Sequence, residues 1–288
     1  MSFFNRLMVS FLVGGGLCFG PVAAHAQAPA TAASTASQGP TYADLATLSD
    51  AAGLVIRARI RNQIVVKAER APGLAPGFAR LYIEGQTIGL IAGRSGVGES
   101  LAYLVDVPLD AKGKVPKLKK REFVLFARSV PGRADELQLV TPSAQLPYTP
   151  ELETRLRPIL TEFYGRTDIP PRITGISDAL AVQGTLTGES ETQIFLATEN
   201  RSPVSITVLR RPGQRPQWGV SWGEIIDSAA LPPAPETLRW YRLACALPAE
   251  LPSNTNLARE ADARRLATAD YAFVREAIGP CTRRITQG

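Results

Sequence analysis

The stretch LVIRARIRNQIVV, residues 54–66, alternates apolar and polar side chains. Arg57, Arg59 and Arg61 occupy successive odd positions within it. A period of two is typical of a β-strand with one buried and one exposed face. It predicts a strand whose arginines emerge on the outer side, about 7 Å apart. The apolar positions that we expect in the core are Leu54, Ile56, Ala58, Ile60, Ile64 and Val66.

Further strand patterns follow before the first convincing helical pattern. They cover residues 79–93, 101–109, 121–130 and 136–141. Gly85 and Gly89, inside the first of these, permit the sharp bending found at barrel corners. Five strands that form a small closed sheet with a helix near one end resemble the OB-type barrel. This resemblance covers about residues 53–148 and rests on strand count and glycine placement.

The first convincing helix is predicted at residues 149–165. Thr149 suits the N-cap, and Pro150 suits the first helical position, where a missing N–H costs nothing. Gly165 suits the stop. The residues that recur at helical spacing are Leu152, Leu156, Ile159, Leu160 and Phe163.

The remaining residues predict a second sheet followed by two helices. Turns such as ENRSP and RRPGQRP separate segments of an antiparallel meander of four or five strands: 173–176, 180–184, 192–198, 204–209 and 217–222. The helices are TLRWYRLACAL and a longer one, capped near Asn256, with Leu266, Ala269, Phe273 and Ala277 on one face. We therefore predict an α+β protein with an OB-like β-barrel domain (41–148), a connecting helix (149–165) and a sheet domain with a helical pair (166–288).

The N-terminal residues predict export. Arg6 precedes an apolar run, and Ala24-His25-Ala26 is typical of a signal-peptide cleavage site. A membrane anchor is the alternative, but Gly14 to Gly16 and Pro21 favour a cleaved signal over 1–26. Residues 27–40 read as a flexible linker. The expected location is the periplasm or the exterior, with no transmembrane span after cleavage.

Signal cleavage would change the chemical inventory. The single histidine, His25, and both methionines lie in the signal, so the cleaved chain has no imidazole base and no histidine or thioether metal ligand. We expect no metal and no cofactor. Cys245 and Cys281 remain in an oxidising compartment, where a disulfide is the natural expectation and two unpaired thiols are the alternative.

Two stretches imitate catalytic motifs. GRSGVGES, residues 93–100, is spaced like a P-loop, but Glu99 stands where lysine is needed and a strand pattern follows. We expect a loop between two strands and no nucleotide. GVSWG, residues 219–223, matches the nucleophile elbow, yet Ser221 has no histidine to activate it after signal cleavage. We expect that stretch to be a strand.

Basic residues suggest a binding site. Lys112, Lys114, Lys117, Lys119, Lys120 and Arg121 fall within ten residues of a chain with net charge +6. The hypothesis is that Arg57, Arg59, Arg61, Lys117, Lys119 and Lys120 bind an anionic envelope component. The alternatives are a solvated loop and arginines neutralised by glutamates such as Glu69 and Glu84. Nucleic acid is disfavoured because the basic run contains no aromatic residue for stacking.

Carboxylates are the remaining general acids and bases. A histidine-free hydrolase of envelope glycans is the alternative function, with Glu189, Glu191, Glu199, Glu224 and Asp227 as candidates. The expected function is a non-catalytic binding or interaction module, for an anionic component or a protein partner. Through GESETQIFL, SITVLRRPGQRPQWGVSWGEIID and LRWYRLACALP, the chain also resembles a set of uncharacterised exported bacterial proteins. That resemblance implies no activity.

Overall fold

A computed structural model describes residues 39–165, 167–227 and 229–286. The predicted signal peptide (1–26) and nearly all of the predicted linker (27–40) lie outside the described residues. Within the described part, no helix has the length and apolar character needed to cross a membrane.

The described chain begins with a helix that the sequence analysis did not predict. This helix, α1 (Tyr42–Ala51), starts with a capping box in which Thr41 and Asp44 each bind the other's backbone N–H. It buries Leu45 and Leu48, together with Asp44 itself. The spacing Thr41-x-x-Asp44 is the sequence signal that could have revealed it.

A closed five-stranded barrel follows α1, as predicted. Its strands are β1 (Leu54–Val65), β2 (Phe78–Gly93), β3 (Ser100–Pro108), β4 (Glu122–Val130) and β5 (Arg133–Leu139). Neighbouring strands pair in the order β1-β2-β3-β5-β4, and β1 also pairs with β4 to close the barrel. A short strand that was not predicted, β6 (Gln145–Pro147), pairs with β4.

The core side of β1 follows the predicted alternation only over its first half. Leu54, Ile56, Ala58 and Ile60 are buried, whereas Ile64 is 50% exposed. Val66 follows the strand and is half-buried, so the expectation that Ile64 and Val66 lie in the core was wrong. An irregularity between Ile60 and Asn62 shifts the register with β2, and β4 pairs with β1 only as far as Arg59. The end of β1 thus extends beyond the closed barrel with its alternation changed.

The predicted connecting helix is α2 (Pro150–Tyr164). The Thr149 side chain accepts a hydrogen bond from the backbone of Leu152, and Gly165 follows as the C-cap. All five apolar residues predicted for its inner face are buried. This helix packs against α1, so the unpredicted N-terminal helix supplies part of its contact surface.

A four-stranded antiparallel sheet forms after α2. Its strands are β7 (Ile173–Gln183), β8 (Ser190–Thr198), β9 (Val204–Arg210) and β10 (Gln217–Ser221), and they pair in the order β10-β9-β8-β7. The two segments predicted at 173–176 and 180–184 are one strand, because bulges near Gly175 and Ser177 let pairing with β8 continue through both.

Two helices, α3 (Leu238–Ala244) and α4 (Ala261–Ile278), end the fold. Cys245 and Cys281 form the predicted disulfide, with Cα atoms 5.0 Å apart, and join the end of α3 to the segment after α4. The predicted face of α4 is correct in part. Leu266 and Phe273 are partly buried and pack against the core, whereas Ala269 and Ala277 are exposed. The fully buried positions are Ala267, Asp270, Tyr271, Val274 and Ile278.

The start of α4 also differs from the prediction. Asn256 lies before the helix and forms a β-bridge with Ala179 in β7, so it covers part of that strand's free edge. The described residues from Gly39 onward group into one compact unit. The boundaries proposed for separate barrel and sheet domains therefore stay a prediction.

Candidate functional site

The three arginines of β1 have different surroundings. Arg57 and Arg59 share one carboxylate, that of Glu122 at the start of β4. The Nε atom of Arg57 lies 2.7 Å from Oε2, and the Nη2 atom of Arg59 lies 2.5 Å from Oε1. These hydrogen bonds, from Arg59 and then from Arg57, hold the pKa of Glu122 below its ordinary value. Glu122 therefore stays charged and neutralises one of the two guanidinium groups.

The neutralising glutamate differs from those that the sequence suggested. Glu122 is the strand partner of Arg59, which places both side chains on the same face of the barrel. Glu84, on β2, instead accepts a hydrogen bond from Asn62 at 3.2 Å. Glu69 lies exposed in a short 3-10 turn. Sequence alone could not identify Glu122, because it follows Arg59 by 63 residues and only barrel closure aligns them.

Arg57 is also held by an aromatic ring. Its guanidinium carbon lies 3.7 Å from the centroid of the Tyr148 ring, within the range of a cation–π contact. The Tyr148 hydroxyl donates a hydrogen bond to Glu153, in the first turn of α2. Arg57 thus belongs to a network that joins the barrel to α2, and its charge is engaged within the protein.

Arg61 lies beside the predicted basic loop. The backbone N–H of Ile60 donates to the carbonyl of Arg121 at 3.0 Å, and the N–H of Lys120 donates to the carbonyl of Ile60 at 2.8 Å. Residues 116–121 therefore run alongside β1 where β4 no longer covers it. The backbone of Arg61 therefore lies next to the lysine-rich segment.

The side chain of Gln63 secures this arrangement. It donates a hydrogen bond to the carbonyl of Pro116 at 3.0 Å and accepts one from the N–H of Leu118 at 2.6 Å. Leu118 is buried, so the segment is fixed to the barrel by a core contact and by hydrogen bonds on both sides of Lys117. The lysines of this segment are therefore presented by an anchored backbone.

Four exposed cations lie at this place: Arg61, Lys117, Lys119 and Lys120. We call them the basic edge. Within the described residues, none of their side chains forms an ion pair, in contrast to Arg57 and Arg59. The backbone of Lys120 adopts a left-handed conformation, with φ of 69°, at the turn that leads into β4.

Lys112 and Lys114 lie farther along the same loop and are held by their backbones. Their N–H groups each donate to Oδ1 of Asp110 at 2.8 Å, and Gly113 supplies the positive φ of the turn. Arg121 extends over the ring of Phe123, 5.4 Å from its centroid. The loop is thus an ordered turn that carries cations on its surface.

The stretch 93–100 is a loop between two strands, as expected, whereas only residues 219–221 of GVSWG are in a strand and Trp222 and Gly223 begin the next loop. Residues 94–99 connect β2 to β3, and no helix follows GRSGVGES. Ser221 ends β10 and is 5% exposed. Its hydroxyl accepts a hydrogen bond from the N–H of Asp227 at 2.9 Å. The position of Ser221 is therefore that of a structural serine at the base of a loop.

The five candidate carboxylates are spread over the second sheet region. Glu189 and Glu191 line a groove of about 730 Å³ at the β7–β8 hairpin, beside Arg210. Glu199 lies 3.8 Å from Arg172. Glu224 and Asp227 lie exposed in the loop after β10. Within the described residues, no group of three or more histidine, cysteine, aspartate or glutamate residues is placed to hold a metal ion.

A second groove, of about 740 Å³, lies under the loop that follows β10. Its wall includes Trp222, whose ring centroid lies 5.8 Å from the guanidinium carbon of Arg239. The loop approaches the sheet so closely that a Cβ atom added to Gly219 would lie 1.8 Å from the carbonyl oxygen of Ala230. The absence of a side chain at Gly219 therefore allows this loop to pack directly against the sheet.

Sequence reasoning also missed the buried charges. Asp270 is fully buried in α4, where Arg210 and Thr192 both donate hydrogen bonds to its carboxylate. Asp44 is fully buried in α1 and accepts hydrogen bonds from the backbone of Arg284 and its neighbours. The hydrogen-bond donors to both carboxylates come mostly from distant parts of the chain, so no local sequence pattern predicts that these aspartates are buried.

The closed five-stranded barrel is consistent with an OB-like fold. No protein-family model matches the sequence, and no curated protein matches it significantly. The Cys245–Cys281 disulfide is compatible with an oxidising compartment.

Proposed function

We propose that this chain is an exported, non-catalytic binding module of the cell envelope, and that its basic edge binds an anionic envelope component. The supporting observation is the contrast among neighbouring cations. Arg57 and Arg59 share Glu122, whereas the cations of the basic edge are exposed and have no carboxylate partner among the described residues. Unpaired cations on an anchored backbone raise the local concentration of anions.

The periplasmic or extracellular location belongs to the same proposal. It is supported by the N-terminal apolar segment with its Ala24-His25-Ala26 site and by the disulfide. The resemblance to exported bacterial proteins agrees with this location, but it does not indicate which ligand the protein binds. An anionic partner in that compartment offers phosphate, carboxylate or sulfate groups to lysine and arginine.

Binding to a soluble polyanion tests the proposal. The exported protein, its N-terminus checked by mass, is titrated with fluorescent dextran sulfate across a salt series. Binding by the wild type should weaken as salt increases. The triple change Lys117→Gln, Lys119→Gln and Lys120→Gln should weaken binding at low salt by at least about tenfold.

A matched variant separates a local site from net charge. Arg211→Gln, Arg215→Gln and Arg259→Gln remove the same charge from three exposed positions outside the barrel. This control should bind nearly as well as the wild type. The proposal fails if the two triple variants lose equal affinity, or if the wild type shows no binding at low salt.

A further inference from the structure

Beside the basic edge, three exposed apolar side chains form a row across the barrel. Ile64 of β1 pairs with Tyr82 of β2, and Tyr82 pairs with Leu104 of β3. Their exposed fractions are 50%, 36% and 50%. Directly paired residues share a face, and neighbouring strands lie about 4.8 Å apart, so the three side chains form a continuous strip. We call Ile64, Tyr82 and Leu104 the apolar row.

The apolar row adjoins the basic edge. Gln63, next to Ile64, holds Pro116 and Leu118 on the two sides of Lys117. The strand β1 therefore has the lysine-rich segment along one side and Tyr82 of β2 on the other. The lysine-rich segment thus lies one strand spacing from Ile64, two from Tyr82 and three from Leu104.

Few acidic groups oppose an anion at this place. Glu84 lies on β2 two residues after Tyr82, and its carboxylate accepts a hydrogen bond from Asn62. In the opposite direction along the strands, two residues from Tyr82 and Leu104, Asp106 of β3 is paired with Arg80 of β2 through two hydrogen bonds of 2.7 and 2.8 Å. Glu136, which lines the same groove as Tyr82 and Leu104, is paired with Arg133. The two ion pairs add no net charge, and the carboxylate of Glu84 is outnumbered by the four cations of the basic edge.

We infer that the anionic component is the surface of a phospholipid bilayer with acidic headgroups. The inference rests on the proposed function and names the partner of the same site. The lysines and Arg61 would contact headgroup phosphates while Ile64, Tyr82 and Leu104 enter the boundary between headgroups and acyl chains. A soluble polyanion would satisfy the cations but would leave the apolar row in water, so the bilayer accounts for both features.

Vesicles and dextran sulfate together test this inference. The exported protein is mixed with phosphatidylcholine vesicles that contain or lack phosphatidylglycerol, and bound protein is measured by co-sedimentation. The double variant Ile64→Ser and Leu104→Ser should bind the acidic vesicles at least about tenfold less tightly than the wild type. Its affinity for dextran sulfate should stay unchanged. The triple lysine variant should lose affinity for both.

The loop after β10 provides a matched control. Ile225 and Leu231 are 84% and 79% exposed there, and Ile225→Ser with Leu231→Ser removes the same apolar groups. This variant should bind acidic vesicles as the wild type does. Equal losses in the two double variants would overturn the inference, because the apolar row would then have no special role.

A measurement in which binding adds a signal distinguishes a loss of contact from a variant that fails to fold. Leu104→Trp places an indole on the apolar row, and brominated phosphatidylglycerol should quench its emission beyond the quenching of the wild type. Ile225→Trp is the control and should show no added quenching. Absence of added quenching at Leu104→Trp in protein that sediments with the vesicles would overturn the inference.

The outcomes distinguish the two proposals. If the lysine variant loses both ligands while Ile64→Ser with Leu104→Ser loses neither, the bilayer inference fails and the anionic site remains. A soluble glycan or other polyanion is then the partner. If the wild type binds neither dextran sulfate nor acidic vesicles at low salt, both proposals fail.

Discussion

Asp50 and Arg242 form a two-point ion pair inside the protein although 192 residues separate them in sequence. The Nη1 and Nη2 atoms of Arg242 lie 2.7 and 2.9 Å from the two carboxylate oxygens. Arg172 donates a third hydrogen bond to the same carboxylate at 2.8 Å. Burial raises the pKa of Asp50, but the hydrogen bonds from Arg242 and Arg172 outweigh burial and lower it. The pair ties the end of α1 to α3.

The two arginines should differ greatly in their effect on stability. Arg242 is 6% exposed, whereas the side chain of Arg172 is 46% exposed. Arg242→Ala leaves Asp50 with a partly hydrated partner, and we expect a loss of about 3–5 kcal/mol in the free energy of unfolding. Arg172→Ala should cost about 1 kcal/mol or less. Urea unfolding measures both, and similar losses would contradict the assignment.

Asp44 should make stability depend on acid. Its carboxylate accepts hydrogen bonds from the backbone N–H groups of Arg284, Ile285 and Thr286, at 3.0 to 3.1 Å, and from the Thr286 hydroxyl. Burial acts to raise the pKa of Asp44, but hydrogen bonds from Thr41 and the C-terminal segment lower it from 3.8 to about 2. The stabilisation is therefore present above about pH 4 and is lost as the pH falls towards 2.

The variant Asp44→Asn tests this account. An amide directs its NH₂ group at backbone donors, and we expect a loss of about 1–3 kcal/mol at neutral pH. Urea midpoints measured between neutral pH and pH 2 should fall more steeply for the wild type than for the variant. Asp262→Asn, at an exposed position of α4, should follow the wild type at every pH. Parallel curves for wild type and Asp44→Asn would contradict the prediction.

The strand pattern of the barrel could be predicted because each strand carries its own signal. The alternation of residues 54–60 is visible without any partner strand. Where that alternation changes, at the bulge before Asn62, the cause lies in pairing with β2 and in the earlier end of β4. Neither can be read from β1 alone, which is why Ile64 was expected in the core.

The cations of the proposed site could be found in the sequence to the same degree. The sequence pointed to Arg61 and the lysines because each is a cation in a run of cations. It could not distinguish Arg61 from Arg57 and Arg59, since that difference depends on Glu122 and Tyr148. The buried face of α4 has a similar cause. Asp270 can lie in the core because it is paired with Arg210 on β9, 60 residues away. Without that partner, the sequence predicts an aspartate on the surface of the helix.

The close approach at Gly219 should control the loop after β10. Gly219→Ala places a methyl group against the carbonyl of Ala230 and should displace residues 229–231, at a cost of about 1–3 kcal/mol. Hydrogen exchange should show faster exchange in the loop and little change in the barrel. Gly223→Ala is the control, because among the described residues no atom other than those of its chain neighbours lies within 4 Å of its Cβ position. Equal exchange in the two variants would refute the steric role of Gly219.

Glu122 should limit anion binding by the barrel. The change Glu122→Gln removes the carboxylate that engages Arg57 and Arg59, so the net charge of this group next to the basic edge rises from +1 to +2. Affinity for dextran sulfate at low salt should therefore rise roughly fivefold or more. Titration of the fluorescent polymer measures the change.

The control for this prediction is Glu136→Gln. It changes the net charge equally and frees Arg133 at the other end of β4, where Leu137 of β5 pairs with Ser129. Arg133 lies away from the basic edge, so this variant should gain little affinity. Equal gains would mean that the polymer responds to net charge, and no gain in Glu122→Gln would mean that the neighbouring cations do not act as one site.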